Sequence, residues 1–225
     1  RIGIVFNGAP LMSGDAGSGT SEIRKWIIEN DWLETIVQLP DQLFFNTSIP
    51  TYFWIITNKK EQRRKGKVQL INASNIFEIM RKNLGKKRKK INREQIQKII
   101  ENYLNFRDTE ISKIYENKFF GYTKVQIDQP LFIDNKLVKL KNGNPKCDTK
   151  LRDYERIPLL DDIDQYINKE VKPFLPLCWE DRSKDKIGYE INFKKEFFKY
   201  KKLRKSSIIY EEILEIAKDL DLKNK

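Results

Sequence analysis

The sequence predicts an α/β fold: a largely parallel sheet with one reversed strand, followed by a mixed α+β, helix-rich C-terminal region. Three observations predict it. Residues 2–6 and 35–39 are short apolar runs on either side of a helical stretch, the pattern of one parallel crossover unit. Residues 51–57 are strongly apolar and follow a connection too short for another crossover helix, so this strand is expected to run antiparallel. Residues 68–73 read as a further strand, after which helical and stranded patterns mix. The expected division is therefore residues 1–73 and residues 74–225.

The first run, Ile2 to Phe6, is ended by Asn7-Gly8 and reads as a buried strand. The chain opens on Arg1, not Met, and enters this strand at once, which leads to the expectation that an N-terminal part is missing. Residues 9–21 form a loop of small residues. Its Gly17-Ser18-Gly19 lacks a following Gly-Lys-Ser/Thr and stands too far from the strand to cradle a phosphate, so a flexible lid or linker is expected. Thr20 and Ser21 are good helix caps and Glu22 suits a first turn. Ile23, Trp26 and Ile27 then give one apolar face to lay on the sheet.

After the strand at 35–39 the chain breaks at Pro40-Asp41 and enters an irregular loop carrying Phe44, Phe45 and Asn46. Such side chains can stack on a flat ring and hydrogen-bond its edge. Residues 58–67 are a basic turn. Ser74 or Asn75 can cap a helix from Ile76 towards Gly85. The run Lys86, Lys87, Arg88, Lys89, Lys90 is the densest positive charge in the chain, either a solvated face or a phosphate contact. Asn92 opens a regular helix in which Ile96, Ile99, Ile100, Tyr103 and Leu104 form a core-facing stripe.

Residues 119–128 read as a strand, and Asn142-Gly143-Asn144-Pro145 as a turn. A helix is expected at 161–172, with Asp161, Asp162 and Asp164 in its first turn. Unpaired amides and the helix dipole favour carboxylates there, so no metal site is expected. Residues 186–193 alternate weakly like a strand. Ile209, Ile213, Ile216 and Leu220 close the chain as a coiled-coil-like seam, which should dock on the body or on a partner.

Composition narrows the function. The 225 residues hold 44 Lys+Arg against 32 Asp+Glu, a net charge of +12, and nucleic acid is the usual partner of such an excess. There is no histidine, which removes Ser-His-Asp and Cys-His nucleophiles and most zinc sites. Cys147 and Cys178 lack Cys-x-x-Cys spacing and read as reduced thiols of a cytoplasmic protein. No apolar run approaches the ~18 residues that span a membrane.

One stretch, LPDQLFFNTSIPTYFWIIT, is similar to the late motifs of N6-adenine DNA methyltransferases. With IVFNGAPLMSGDAGSG, EIRKWIIENDWLETIVQLP, GKVQLINAS, FGYTKVQIDQPL, LRDYERIPL and KIGYEINF, the chain resembles the modification subunit of type I restriction-modification systems. The resemblance implies that residues 1–73 are the last strands of a Rossmann-like methyltransferase sheet. It implies an intact protein that moves a methyl group from S-adenosylmethionine to the exocyclic amine of adenine in double-stranded DNA. A base inside a duplex must be flipped out to react. Phe44 then matches the stacking aromatic, Phe45 stands where tyrosine is commoner, and Asn46 and Thr47 line the pocket; simple packing beneath the loop remains the alternative.

On a nucleic-acid protein the charge of the Lys86–Lys90 run makes it a natural DNA-backbone contact. The resemblance implies a partner for the Ile209-Ile213-Ile216-Leu220 seam, the specificity subunit and through it the restriction subunit; a helix covering its own core is the alternative. The family's glycine-bearing cofactor motif and its Asn/Asp-Pro-Pro-Phe/Tyr motif are not found in the sequence. The expectation is therefore a C-terminal portion only, with no catalytic residue, no S-adenosylmethionine bound by the segment alone, and no methylation. A non-catalytic basic DNA- or subunit-binding module is the alternative function.

Overall fold

The computed structural model describes residues 1–200 and 202–223, with side chains of the last helix as far as Lys218. The chain divides into two compact units, Arg1–Phe193 and Lys194–Lys225.

In the first unit, β1 (Ile2–Phe6) is followed by a short helix α1 (Ala9–Met12) and by α2 (Gly19–Glu29). Then come β2 (Leu33–Gln38), β3 (Tyr52–Ile56) and β4 (Lys67–Asn72). A hairpin of β5 (Glu78–Leu84) and β6 (Lys87–Lys90) leads to α3 (Arg93–Asn105) and β7 (Ser112–Glu116). The main sheet has five strands in the order β1-β3-β2-β4-β7. β3 lies between β1 and β2 and is antiparallel to both, so it is the reversed strand that its short connection predicts. β2 and β4 pair in parallel, and β7 closes the far edge antiparallel to β4.

Every residue of β2 is buried, as befits an apolar central strand covered on both faces. Leu33, Ile36, Val37, Val68, Leu70 and Ile71 form the centre of this core. α3 packs on the end of β4 through Ile99 and Tyr103. Its Asn92 accepts from Gln95 N–H while Gln95 reaches back to Asn92 N–H, a complete capping box.

Five expectations are corrected here. β1 is an edge strand and not a buried one: Ile2 and Val5, which point to opposite faces of the sheet, are 56% and 47% exposed. On α2 the buried residues are Ser21, Arg24 and Ile28, while Ile23 and Trp26 are exposed. The Arg24 guanidinium decides this: it donates to the carbonyls of Pro10 (2.9 Å), Ser13 (3.0 Å) and Tyr189, which anchors that face inward. On α3 only part of the stripe packs, and Ile96, Ile100 and Leu104 remain exposed. Residues 76–85 are not a helix but the first half of a hairpin, turned at Gly85 with φ +61°. The sheet does not end before residue 74, since β7 belongs to it.

β8 (Gly121–Asp128) then begins a second, smaller sheet. A small hairpin, β9 (Phe132–Ile133) and β10 (Lys136–Leu137), precedes β11 (Asp153–Pro158), α4 (Ile163–Tyr166) and β12 (Trp179–Tyr189). The order β11-β8-β12 is antiparallel throughout. Val125, Ile127 and Ile157 of this sheet bury against Ile167, Val171 and Cys178. A single helical turn, α5 (Phe193–Glu196), marks the boundary between the units. The second unit is built on α6 (Ser206–Lys223).

Candidate nucleic-acid interface

The loop between β2 and β3 is closed at its base by Leu39 N–H donating to Thr51 O at 2.8 Å. Gln42 takes a left-handed conformation (φ 55°), and Phe44 and Thr47 bridge across the tip. This doubles the chain back on itself. The Phe44 ring is half-buried, whereas Phe45 is 61% exposed. Asn46 is exposed and Thr47 half-buried, its hydroxyl accepting from Ile49 N–H at 3.3 Å.

The β5–β6 ribbon lies against this loop. Lys86 N–H donates to Phe45 O at 2.9 Å, and the N–H groups of Arg88 and Lys89 donate to Gln42 O at 3.0 and 3.2 Å. Side chains add to the seam. Lys89 pairs with the Asp41 carboxylate and stands 3.9 Å from the Phe77 ring centroid. Lys87 Nζ lies 5.1 Å from the Phe45 centroid, within cation–π range. Lys90 pairs with Glu78 at 2.9 Å, and that contact, with Asn92, holds the Glu78 carboxyl below its ordinary range.

Two groups of residues remote in sequence, the Phe44–Thr47 tip and the Lys86–Lys90 run, therefore form one surface. Sequence reasoning singled out both but missed what ties them: Asp41, Gln42, Phe77 and Gly85. The signal available was Gly85, the one residue before the basic run suited to a tight turn.

The glycine-rich loop proves to be pinned, not a lid or linker. Asp15 pairs with Lys124 and, at 3.3 Å, with Arg156, both on the second sheet. The Lys124 hydrogen bond pulls the Asp15 carboxyl below its ordinary value. A Cβ on Gly17 would come within 3.0 Å of the Lys186 side chain. At α4, Asp162 caps the helix by accepting from Gln165 N–H at 2.9 Å. Among the described residues no cluster of His, Cys, Asp and Glu is placed to hold a metal. On α6, Ile209, Ile213 and Ile216 are 37%, 57% and 60% exposed, while the side chain of Leu220 lies outside the described residues. Among the described residues no helix is long and apolar enough to cross a membrane.

A family model described as N-6 DNA Methylase matches residues 1–128. The type I restriction enzyme MjaIX methylase subunit of Methanocaldococcus jannaschii is 31% identical over 170 residues, covering 71% of this chain and 29% of that protein. The HindI methylase subunit of Haemophilus influenzae is 45% identical over 69 residues, covering 29% of this chain and 15% of that protein. A solved type I restriction-modification methyltransferase subunit from Streptococcus thermophilus is similar with a TM-score of 0.45 and 28% identity, over 52% of this chain and 23% of that chain. The chain thus spans less than a third of the length of the curated relatives it matches.

The family match overturns several expectations. The matched stretch lies at this chain's own N-terminal side and runs through β8, so the chain is not a C-terminal portion only. A segment carrying part of the methylase domain is not to be read as inactive, as lacking the family's catalytic part, or as free of the methyl donor. Those expectations rested on two short motifs, whereas the match rests on the pattern of a long stretch of sheet, helix and loop. Since it covers residues 1–128, the chain belongs to the N-6 DNA methylase family.

Proposed function

We propose that this chain serves in an adenine-N6 DNA methyltransferase subunit of the type I restriction-modification kind, and that the aromatic loop and basic ribbon face its duplex substrate. The observation that carries the reading is the hydrogen-bonded junction of the two, Lys86 N–H to Phe45 O and Arg88 N–H to Gln42 O. Methylating an adenine amine requires the base to leave the stack, be held between flat side chains and be read on its edge, while cations take the flanking phosphates. Phe44 and Phe45 supply the rings, Asn46 and Thr47 the polar edge, and Lys86 to Lys90 the charge. The names of the relatives, all methylase subunits of type I restriction enzymes, support the same assignment.

S-adenosylmethionine is the methyl donor in this reading. The glycine-rich loop does not fit it, because Asp15 is committed to Lys124 and Arg156 and Lys186 lies against Gly17. No residue of that loop is therefore assigned to the donor. The proposed division assigns residues 1–73, with β1 to β4, to the methyltransferase sheet, and residues 74–225 to a helical and stranded region that lends β7 to that sheet. Within the latter, the exposed face of Ile209, Ile213 and Ile216, with Leu220, docks the specificity subunit, through which the restriction subunit joins.

The test uses duplexes that differ only in one adenine, paired or facing an abasic site and so cheaper to extrude. The chain is expected to bind the unpaired-adenine duplex more tightly, and Phe44→Ala and Phe45→Ala to erase most of that preference. Equal affinity for both duplexes in the unaltered chain would sink the reading. For the helix, Ile213→Asp with Ile216→Asp is expected to abolish co-purification with a specificity subunit while the circular dichroism stays unchanged.

A further inference from the structure

The ribbon's cations differ in electrostatic status. Its register pairs Glu78 with Lys90, Ile79 with Lys89 and, after a shift that takes in Arg81 and Lys82, Leu84 with Lys87; successive residues of β6 alternate between faces. Lys87 and Lys89 are half-buried, and their ammonium groups are already engaged by the Phe45 ring, the Phe77 ring and Asp41. Arg81, Lys82, Lys86 and Arg88 are exposed, and among the described residues their side chains hold no ion pair. Four cations on one short ribbon repel each other in water, and a polyanion relieves that repulsion. A two-stranded ribbon also fits the width of a duplex major groove.

We propose that the ribbon is a DNA probe whose cations have two separate jobs. Lys87 and Lys89 are positioning residues that hold the Phe45 loop, and Arg81, Lys82, Lys86 and Arg88 take the phosphates of the duplex beside the extruded base. The proposal rests on the reading that this loop faces DNA. It assigns separate jobs to residues that the sequence presents as one undivided basic run.

The experiment is fluorescence anisotropy of a labelled duplex with the full chain, over a salt series from about 50 to 200 mM, where each phosphate contact contributes a slope of about 0.9. The Arg81→Ala, Arg88→Ala double variant is expected to bind more weakly and to flatten the slope by about two contacts, keeping the preference for the unpaired adenine. Arg88→Lys should retain the slope. Lys87→Ala is expected to do the reverse, leaving the slope and dulling the fluorescence change of 2-aminopurine placed at the unpaired position. An unchanged slope in the double arginine variant would overturn the proposal, as would a slope loss in Lys87→Ala equal to half of that in the double arginine variant, one full contact. Binding that depends on salt but ignores the unpaired adenine in every variant would remove the functional reading and leave the phosphate role standing. No binding by the unaltered chain would overturn both.

Discussion

Lys86 donates its main-chain N–H to the carbonyl of Phe45 at 2.9 Å, so the turn of the basic ribbon and the tip of the aromatic loop share a hydrogen bond. The contact is possible because Gly85 precedes it. Gly85 sits at φ +61°, and a Cβ there would come 2.7 Å from that same carbonyl oxygen. Ala at this position would incur both the left-handed backbone cost, about 1–2 kcal/mol, and a clash with main chain that cannot swing away. Gly85→Ala is therefore expected to lower the urea midpoint modestly and to weaken binding of the unpaired-adenine duplex. Stability lost with that binding intact would show that the junction is structural only.

Arg64 makes a sharper stability test. Its side chain is almost wholly buried, sandwiched 4.4 Å from the Tyr103 ring and 4.3 Å from the Phe106 ring. It donates to Gln69 Oε1 at 3.1 Å and to Tyr103 O, and lies 3.5 Å from the fully buried Glu34. Burial pushes its pKa down, but a guanidinium starts so high that it stays charged. Arg64→Met would leave Glu34 leaning on Arg1 and the Tyr103 hydroxyl, so a loss of about 3 kcal/mol or more is expected by chemical denaturation. Adding Glu34→Gln should recover part of it. A double variant less stable than Arg64→Met alone would contradict the pairing.

The Asp15 contacts should behave differently, because they are partly exposed. Asp15→Ala removes its pairs with Lys124 and Arg156 from groups that water already screens, and the stability change is expected to stay below about 1 kcal/mol. The informative readout is local. Limited proteolysis should cut faster at residues 14–18 once that anchor is gone, and an unchanged cutting rate would mean that Arg24 holds the loop by itself.

What the sequence made legible, and what it hid, follows from the kind of interaction involved. The reversed strand β3 was readable because chain length and apolar content alone forbid a crossover helix. The aromatic tip and the basic run were readable as chemistry. Their junction was not, since it is made by main-chain groups of Gln42 and Phe45 that no pattern records. Residues 76–85 mimicked a helix because Ser74 and Asn75 are good caps, yet Gly85 and cross-strand pairing chose the hairpin. On α2 the hydropathy pattern pointed Ile23 and Trp26 inward. Arg24, by satisfying the carbonyls of Pro10, Ser13 and Tyr189, reversed that choice. β7 was missed because Ser-Lys-Ile-Tyr-Glu is short and mixed, and its place comes from pairing with β4.

Asp31 gives the pH prediction. It sits where the chain leaves α2, at φ 57°, and its carboxylate accepts from Gly66 N–H at 2.9 Å, Asn117 Nδ2 at 2.9 Å and Lys60 Nζ at 2.5 Å. Burial raises its pKa, but those three donors together outweigh it and leave the carboxyl below its ordinary 3.8. A depressed folded pKa means that the stability it contributes is complete above 3.8 and is lost as pH falls through the lower folded value. Lys60 works with the opposite sign. Burial lowers its pKa despite Asp31, and its ammonium faces the Asp31 carboxylate while also donating to Lys67 O at 2.7 Å. Protonating Asp31 thus removes the counter-charge of a buried cation, 2% exposed at its side chain, and leaves it only the Lys67 carbonyl. Urea midpoints measured from pH 7 down to about pH 2.5 should fall steeply below pH 4, the window set by that depressed pKa. Asp31→Asn should be less stable at pH 7 and show a flatter acid limb. An Asn variant whose acid limb matches the unaltered chain would assign the acid sensitivity to other carboxylates, with Asp128, held low by Arg152 at 2.7 Å against its own burial, the next to replace.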